Sequence, residues 1–379
     1  MIRRPPRSTQ SRSSAASDVY KRQDMSFVIA FGYVFGGVVL AGAMIYYLQP
    51  TDKNGVPAAG VIFFRWAVQG FVGFAIAAYL FRLFGRYVGT AGTRKLFGSM
   101  PLTAAFGVLV IIIYAVVSIF AGAIAPYGQE EILAGSNIVP GGNSLLGGNP
   151  EFPLGTDQIG RDIFSRMIYG ARNTVGIAVA TTLLAFFIGG SLGLAAAIDR
   201  GWLDQLLSRS VDVLMAIPSL IFALVLLSIF GSTVTNLIMI IAVLDSTRVF
   251  RLTRAVALNV VVMDYVEAAR LRGEGLGWIM RREILPNIMP PLIAEFGLRF
   301  CFVFLSIAAL SFLGVGIQPP TADWGSMVRD NASLIQFAQY DLKAGLTPLL
   351  PAAAIALLTV AVNFVVDWFL HKTSGLRDE

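Results

Sequence analysis

The chain has 379 residues, of which 56% are hydrophobic and 14% are charged, and its formal net charge is +6. An ordinary soluble domain has about 25% charged residues, so this composition excludes a typical soluble globular protein and indicates a polytopic membrane protein. The positive charge is typical of basic cytoplasmic loops, and we favour this interpretation over nucleic-acid binding.

The chain contains a single cysteine, Cys301, and a single histidine, His371. This excludes a disulfide framework and leaves no Cys/His cluster for a metal site. An intramembrane enzyme needs convergent nucleophile, base or metal-ligand side chains inside the spans, and their scarcity argues against that class. We therefore expect no catalytic residue, no metal and no cofactor in this chain.

Residues 1–24 are basic, rich in Ser and Arg, and lack the apolar core of a signal peptide. They are predicted to be a disordered leader. Two interpretations stay open: a translated cloning remnant, with Met25 as the native start, or a functional basic arm on anionic lipid. Residues 25–100 are predicted to form a two-helix membrane hairpin with a basic linker, and residues 101–379 the membrane core.

A membrane-spanning helix needs about 20 mostly apolar residues, and about eight segments of the chain meet this requirement. We predict spans near residues 27–48, 61–82, 104–125, 174–198, 212–231, 234–250, 291–315 and 346–370. The fifth and sixth spans are separated only by the residues GST at 231–233, which predicts a tight hairpin.

Basic residues set the predicted orientation, because cytoplasmic loops are enriched in Lys and Arg. The links after the second, fourth and sixth spans are the basic ones and are predicted to be cytoplasmic, with both chain termini on the same side. The link at 126–173 is predicted to face outward although it carries Arg161, Arg166 and Arg172. Asp157 and Asp162 offset two of these charges, so the topology is kept.

Residues 264–287, DYVEAARLRGEGLGWIMRREILPN, form a charged segment between two apolar runs. Glu267 and Arg270 are three apart and can pair on one helix face. Gly273 and its neighbouring glycines interrupt helix propensity, and Pro286 is expected to end or kink a second helical run. The pattern predicts two short helices with a glycine bend on the cytoplasmic face, and without further information it is also compatible with an idle connecting loop.

The spacing within this segment resembles the "EAA" loop of ABC-importer permeases. The matching residues are Glu267, Ala268, Ala269, Gly273, Leu285 and Pro286. Three further segments, 153–172, 211–224 and 310–328, resemble parts of the dipeptide, oligopeptide and nickel permeases of the DppC/OppC type. The four segments occur in the family's order, and the resemblance covers roughly residues 100–379.

This resemblance implies an all-α integral membrane protein with the six-helix core of a type-I ABC importer, preceded by two extra N-terminal helices. It implies a permease in the bacterial inner membrane that works with a second permease, two ATPase subunits and an extracytoplasmic solute-binding protein. The chain has no G-x-x-x-x-G-K-[ST] phosphate loop, so ATP and Mg are expected on the partner subunits. Loop 264–287 is then the element that docks on an ATPase, with Glu267 offering a charge and the two alanines permitting close approach.

Two charged pairs lie within predicted spans, Glu295 with Arg299 and Asp245 with Arg248. Charges inside a membrane are costly and usually face the protein interior. Each pair is open to two interpretations, a structural link between helices or a lining of the transport pathway. The resemblance does not decide the substrate, since this family's usual acidic residue before the SFLG run is absent from SIAAL at 306–310.

The alternative function is an ion-coupled secondary transporter. That class needs buried acidic residues in broken helices near the middle of the membrane, and few are present here. It does not need loop 264–287 as a coupling element.

Overall fold

The computed structural model describes residues 59–88, 90–141, 147–199, 201–339 and 342–373. The predicted leader and the predicted span 27–48 lie outside the described residues. The chain divides into two units, residues 1–80 with 375–379 and residues 81–374. The described part of the first unit is helical from residue 59 onward, and the second unit holds the EAA-like loop and both charged pairs.

Every long regular element in the described part of the chain is a helix, which confirms the predicted all-α class. In chain order the helices are α1 Ala59–Tyr87, α2 Ala91–Ser99, α3 Leu102–Ile119, α4 Ala121–Ile124, α5 Ile163–Gly170, α6 Gly176–Asp199, α7 Trp202–Ala216, α8 Ser219–Phe230, α9 Val234–Val261, α10 Asp264–Leu271, α11 Leu276–Ile279, α12 Leu285–Phe312, α13 Trp324–Asn331 and α14 Leu342–Thr373. Two π-helical turns, Ala171–Val175 and Met280–Ile284, join α5 to α6 and α11 to α12.

Four helical segments among the described residues are long and apolar enough to cross a membrane, or five if the bent pair α7–α8 is one span. The four segments are Leu102–Ile119, Ile163–Asp199, Leu276–Phe312 and Lys343–Lys372. They contain most of the spans predicted at 104–125, 174–198, 291–315 and 346–370, although Ile163–Asp199 and Leu276–Phe312 begin more than ten residues earlier than predicted. In both cases a π turn lets the helix continue where the sequence indicates a break.

The predicted span 212–231 is not one continuous helix. Helices α7 and α8 meet at an angle of 90°, and Ile217 between them has extended backbone angles. The cause is Pro218, because a proline ring disfavours helical angles in the residue before it. The apolar run hides this break, so residues 202–216 and 219–230 lie in different directions.

The predicted hairpin at 231–233 is present, with Gly231 at a positive φ of 86° ending α8. Thr233 then caps α9 by accepting a hydrogen bond from the N–H of Asn236 at 3.2 Å. Helix α9 continues to Val261, well past the predicted end at residue 250. It carries Asp245, Arg248, Arg251 and Arg254, so it does not meet the apolar criterion along its length.

Glycines of the GGSLG run at 189–193 hold α6 and α9 in close contact. A Cβ atom on Gly189 would lie 2.3 Å from the carbonyl oxygen of Ser246, and one on Gly193 would lie 2.8 Å from that of Phe250. Real Cβ atoms do not approach other atoms so closely. The two backbones can therefore meet only because both positions are glycine, which has no Cβ. This contact supports the part of α9 that carries Asp245 and Arg248.

Candidate functional site

Helix α10 forms the first half of the EAA-like loop, and its end is defined by Gly273. The N–H of Gly273 donates to the carbonyl of Arg270 at 2.9 Å, and that of Glu274 donates to the carbonyl of Ala269 at 3.2 Å. This is the Schellman motif, which requires a left-handed residue after the helix. Gly273 has a φ of +81°, so the predicted glycine bend is present.

One face of α10 is buried in the chain's own core. Val266 and Ala269 are fully buried. They belong to an apolar cluster, here called the loop core, whose other buried members are Leu194, Ala197, Ala257, Val260, Val261, Ile279, Ile284, Ile288 and Leu292. Leu285 packs against the loop core from its edge. The cluster therefore ties α10 to the end of α9 and to the start of α12.

The opposite face of α10 is open. Glu267 and Ala268 are exposed, so of the two predicted contact alanines only Ala268 is available to a partner, and Ala269 serves the loop core. Exposed apolar residues flank them, with Leu271 at 84% and Leu276 at 60% exposure. The loop thus presents a mixed charged and apolar surface, which is typical of a docking site.

The predicted ion pair between Glu267 and Arg270 is not formed. Both side chains are exposed, and this pair is not among the ion pairs of the described part of the chain. An exposed pair of this kind contributes only about 0.3–0.5 kcal/mol, which is too little to fix two long side chains. The Glu267 carboxylate is therefore free of an intrahelical partner.

Of the two predicted effects of Pro286, an end or a kink of the second helical run, the end does not occur. The chain is helical without interruption from Leu276 to Phe312, with Pro286 near the first residue of α12. The preceding π turn, Met280–Ile284, changes the hydrogen-bond register there, which is how a helix tolerates a residue without an N–H group. Only the first of the two predicted short helices is a separate element.

We expect Gly273→Ala to destabilise the chain while Gly277→Ala does not. Neither added Cβ meets another atom within 4 Å, but Gly273 alone has positive φ, where an L-residue costs about 1–2 kcal/mol. Gly277 lies inside α11, where Ala is the better helix former. The measurement is thermal unfolding, and equal Tm values of the two variants would contradict this role of the bend.

The two predicted intramembrane pairs form one cluster, here called the charge cluster. Nη1 of Arg248 lies 3.1 Å from Oδ1 of Asp245, and Nη1 of Arg299 lies 3.6 Å from the same oxygen. Nε of Arg299 lies 2.7 Å from Oε1 of Glu295. Arg299 also stacks over the ring of Phe302 at 4.6 Å. Asp245 therefore joins α9 to α12, which the sequence alone does not indicate.

Two further ion pairs connect the broken helix to the end of α9. Arg254 binds Asp204 through two hydrogen bonds of 2.5 and 2.6 Å, and Arg251 lies 3.3 Å from Asp212. Sequence reasoning missed both, because the partners are about 40 or 50 positions apart and a single sequence carries no signal for such pairs.

Two of the three arginines in the predicted outward loop, Arg161 and Arg166, share the carboxylate of Asp157, and Arg172 is exposed. Nε of Arg161 lies 2.7 Å from Oδ2 of Asp157, and Nε of Arg166 lies 3.6 Å from the same atom. Asp162 has a different role from the one predicted, since it caps α5 by accepting from the N–H groups of Phe164 and Ser165. Buried and paired arginines of this kind carry little weight in the charge rule for orientation.

The buried carboxylate of Asp323 joins two distant segments. Its Oδ1 accepts from the hydroxyl of Thr174 at 2.8 Å, and its Oδ2 accepts from the N–H of Ser326 at 2.8 Å, which caps α13. The Thr174 hydroxyl also accepts from the N–H of Trp324 at 3.2 Å. Burial raises the pKa of Asp323 above its ordinary value, against the opposing effect of these hydrogen bonds.

We expect Asp323→Asn to keep the fold and to flatten the pH dependence of stability. Because the folded pKa is raised, the wild-type carboxyl disfavours the folded state increasingly as pH rises above the ordinary Asp pKa. Asn cannot ionise and can still accept at the α13 cap. Asp323→Ala also loses the cap, which costs about 0.5–2 kcal/mol. Thermal unfolding between pH 4 and pH 8 measures this, and a steeper slope for Asp323→Asn would contradict it.

The described residues contain no group of three or more His, Cys, Asp or Glu side chains placed to hold a metal ion. Cys301 is buried against α14, with its thiol 3.8 Å from the carbonyl of Thr359.

The long apolar helices of the described residues are those of a multi-pass membrane protein. Residues 189–372 match the family described as "Binding-protein-dependent transport system inner membrane component". The chain is 38% identical over 275 residues to the dipeptide transport system permease protein DppC of Escherichia coli, covering 73% of this chain and 87% of that protein.

Two other relatives agree with this assignment. The di/tripeptide permease protein DppC of Pseudomonas aeruginosa is 35% identical over 72% of this chain and 85% of its own length. The glutathione permease protein GsiD of Pectobacterium atrosepticum is 31% identical over 73% of this chain and 85% of its own length. The chain belongs to the binding-protein-dependent ABC permeases of the DppC/OppC-like type.

Proposed function

We propose that this chain is one permease subunit of an ATP-driven importer for peptides or a similar small solute. The relatives named above are permeases of dipeptide, tripeptide and glutathione systems, which supports the peptide class. The protein lies in the bacterial inner membrane with both termini in the cytoplasm, and it forms half of the transport pathway.

The partners follow from the same proposal. A second permease completes the pathway, two ATPase subunits bind ATP with Mg, and an extracytoplasmic solute-binding protein delivers the substrate. This chain itself is not an enzyme. The family description, which names binding-protein-dependent transport, supports the kinds of partner. The numbers of subunits are part of the proposal.

The observation that carries the coupling role is the division of α10 into two faces. Glu267 and Ala268 are open to a partner, while Val266 and Ala269 are fixed in the loop core. A force applied to the open face therefore reaches α9 and α12 through packed side chains rather than through a flexible link. Protein interiors are close-packed and resist compression, so α10 transmits displacement efficiently.

ATP determines in which direction the permease changes between its two states. A bound nucleotide can move the permease between two states only if the ATPase dimer binds it better in one of them. In this mechanism the closed ATPase dimer holds α10, and α10 holds the bases of α9 and α12 in the arrangement open to the outside. Release after hydrolysis returns these helices to the arrangement that opens inward.

The deciding experiment is uptake of a labelled dipeptide by liposomes that contain this chain purified with its native partners. We expect uptake that requires both ATP and the solute-binding protein, and we expect an ATPase to copurify. Full uptake driven by an ion gradient without an ATPase would establish the alternative, an ion-coupled secondary transporter.

A further inference from the structure

The break between α7 and α8 leaves an uncapped helix start inside an apolar region. Pro218 is the N-cap of α8 and forms no side-chain cap hydrogen bond. The first hydrogen bond of the helix runs from the N–H of Phe222 to the carbonyl of Pro218 at 3.0 Å. The N–H groups of Ser219 and the next two residues therefore have no acceptor within α8, and they place partial positive charge at its start.

This helix start opens onto the charge cluster. Ser219 and Leu220 of α8, Asp245 and Arg248 of α9, and Ser306 of α12 line one cavity. Two hydroxyl residues, a guanidinium group and the Asp245 carboxylate thus border the same space as the first residues of α8, and the rest of the lining is apolar. Discontinuous membrane helices in transporters use this arrangement, with the positive end of a half-helix directed at an anionic group of the substrate.

The two arginines of the charge cluster differ in availability. Arg299 is 12% exposed and lies between the carboxylates of Asp245 and Glu295. Arg248 is 40% exposed, and Asp245, its ion-pair partner, is shared with Arg299. The two arginines and the two carboxylates balance one another in charge. The exposed guanidinium of Arg248 can therefore bind the carboxylate of a zwitterion, which leaves this balance unchanged, but not a simple anion.

We propose that this cavity is a passage subsite for the carboxylate group of the transported solute, bound by Arg248 and by the N–H groups at the start of α8. The inference rests on the proposed function and names the part of a peptide that this chain recognises. The hydroxyls of Ser219 and Ser306 offer further donors to the carboxylate oxygens. Asp245 repels a simple anion from the same space, so the subsite favours a zwitterion whose ammonium group compensates that charge.

The cavity is narrow, with about 20 Å³ of free volume, which is room for about one water. A solute therefore passes this point only when α8, α9 and α12 move apart. Since α9 and α12 both carry the loop core at their cytoplasmic ends, the same displacement that couples to ATP opens the subsite.

The test compares transport of Ala-Ala with that of its C-terminal amide by the complete transporter in liposomes, for wild type and for Arg248→Gln. The solute-binding protein is the same in both samples, so a change in the ratio of the two rates belongs to this chain. We expect Arg248→Gln to lower the transport of Ala-Ala by about tenfold relative to the amide, the loss typical of a charge-assisted hydrogen bond.

Arg251→Gln is the matched control, since Arg251 lies one turn further along α9, pairs with Asp212, and does not line the cavity. We expect an unchanged ratio for it. An equal loss of both peptides in Arg248→Gln, or no loss, overturns this inference and leaves the peptide importer intact. Wild-type transporter that moves neither peptide in the presence of ATP overturns the proposed function and this inference together.

A second measurement does not depend on the assembly of Arg248→Gln. Ser219→Cys is nearly isosteric and places a thiol at the start of α8. We expect this thiol to react faster with a negatively charged methanethiosulfonate than with a positively charged one of similar size. Faster reaction with the positive reagent shows that Asp245 dominates the cavity, and it overturns the assignment of an anion subsite.

Discussion

Glu267→Lys is expected to abolish ATP-dependent uptake while the protein still inserts and assembles. The side chain is exposed on α10 and makes no ion pair within the described structure, so its reversal leaves the fold unchanged. In the proposed docking on the ATPase, the new charge would face a basic group, and like charges at an interface cost several kcal/mol. A cost of about 3 kcal/mol lowers coupling by about a hundredfold.

The control for this reversal is Glu130→Lys, which changes an exposed glutamate in the loop predicted to face outward. We expect near wild-type uptake from it, and we expect both variants to reach the membrane in equal amounts. Uptake by Glu267→Lys at the wild-type rate would show that α10 does not dock through this carboxylate. The measurement is ATP-driven uptake together with substrate-stimulated ATPase activity.

Gly189→Ala is expected to destabilise the membrane core, because it pushes α6 away from α9. The new methyl group would lie 2.3 Å from the carbonyl oxygen of Ser246 and 2.8 Å from the side chain of Val249. A backbone carbonyl cannot move aside as a flexible side chain can. Overpacking of this kind costs about 1–3 kcal/mol. Thermal unfolding in detergent is the measurement, with an expected fall in Tm of several degrees.

Gly190→Ala provides the comparison for this variant within the same helix. No atom lies within 4 Å of a Cβ placed there, so Ala improves the helix by up to about 1 kcal/mol without a clash. We expect Tm to stay or to rise. Equal Tm values for the two variants would show that α6 and α9 are not held by close backbone contact.

The apolar spans and the loop at 264–287 could be predicted from the sequence, because both follow from local patterns. A run of about 20 apolar residues has few alternatives to a membrane helix. The end of α10 at Gly273 also follows from one residue type, since glycine alone readily adopts positive φ. These features depend on residues that are close in the chain.

Hydropathy alone does not predict the break at Pro218, although the proline is a signal for it in the sequence. The apolar run at 212–231 predicts one span. In the structure, the proline interrupts the helix, since Ile217 before it is extended. The opposite holds at Pro286, where a π turn keeps the helix continuous. A proline alone therefore does not decide between a break and a tolerated kink.

The charge cluster could not be assembled from sequence reasoning. Asp245 and Arg299 are more than 50 positions apart, and each has a nearer residue of opposite charge in the chain. Local spacing therefore predicts two separate pairs. The sharing of Asp245 between two arginines depends on how α9 packs on α12, and tertiary packing of this kind has no local pattern.

The unbroken helix from Leu276 to Phe312 connects the loop to the far end of the core. Its 37 residues span about 55 Å at 1.5 Å per residue. A tilt of about 5° at the loop would displace the far end by about 5 Å, by the same geometry. Near that end the carbonyl of Ala308 lies against Gly325 of α13, so a small movement of the loop would reach α13 as a larger one.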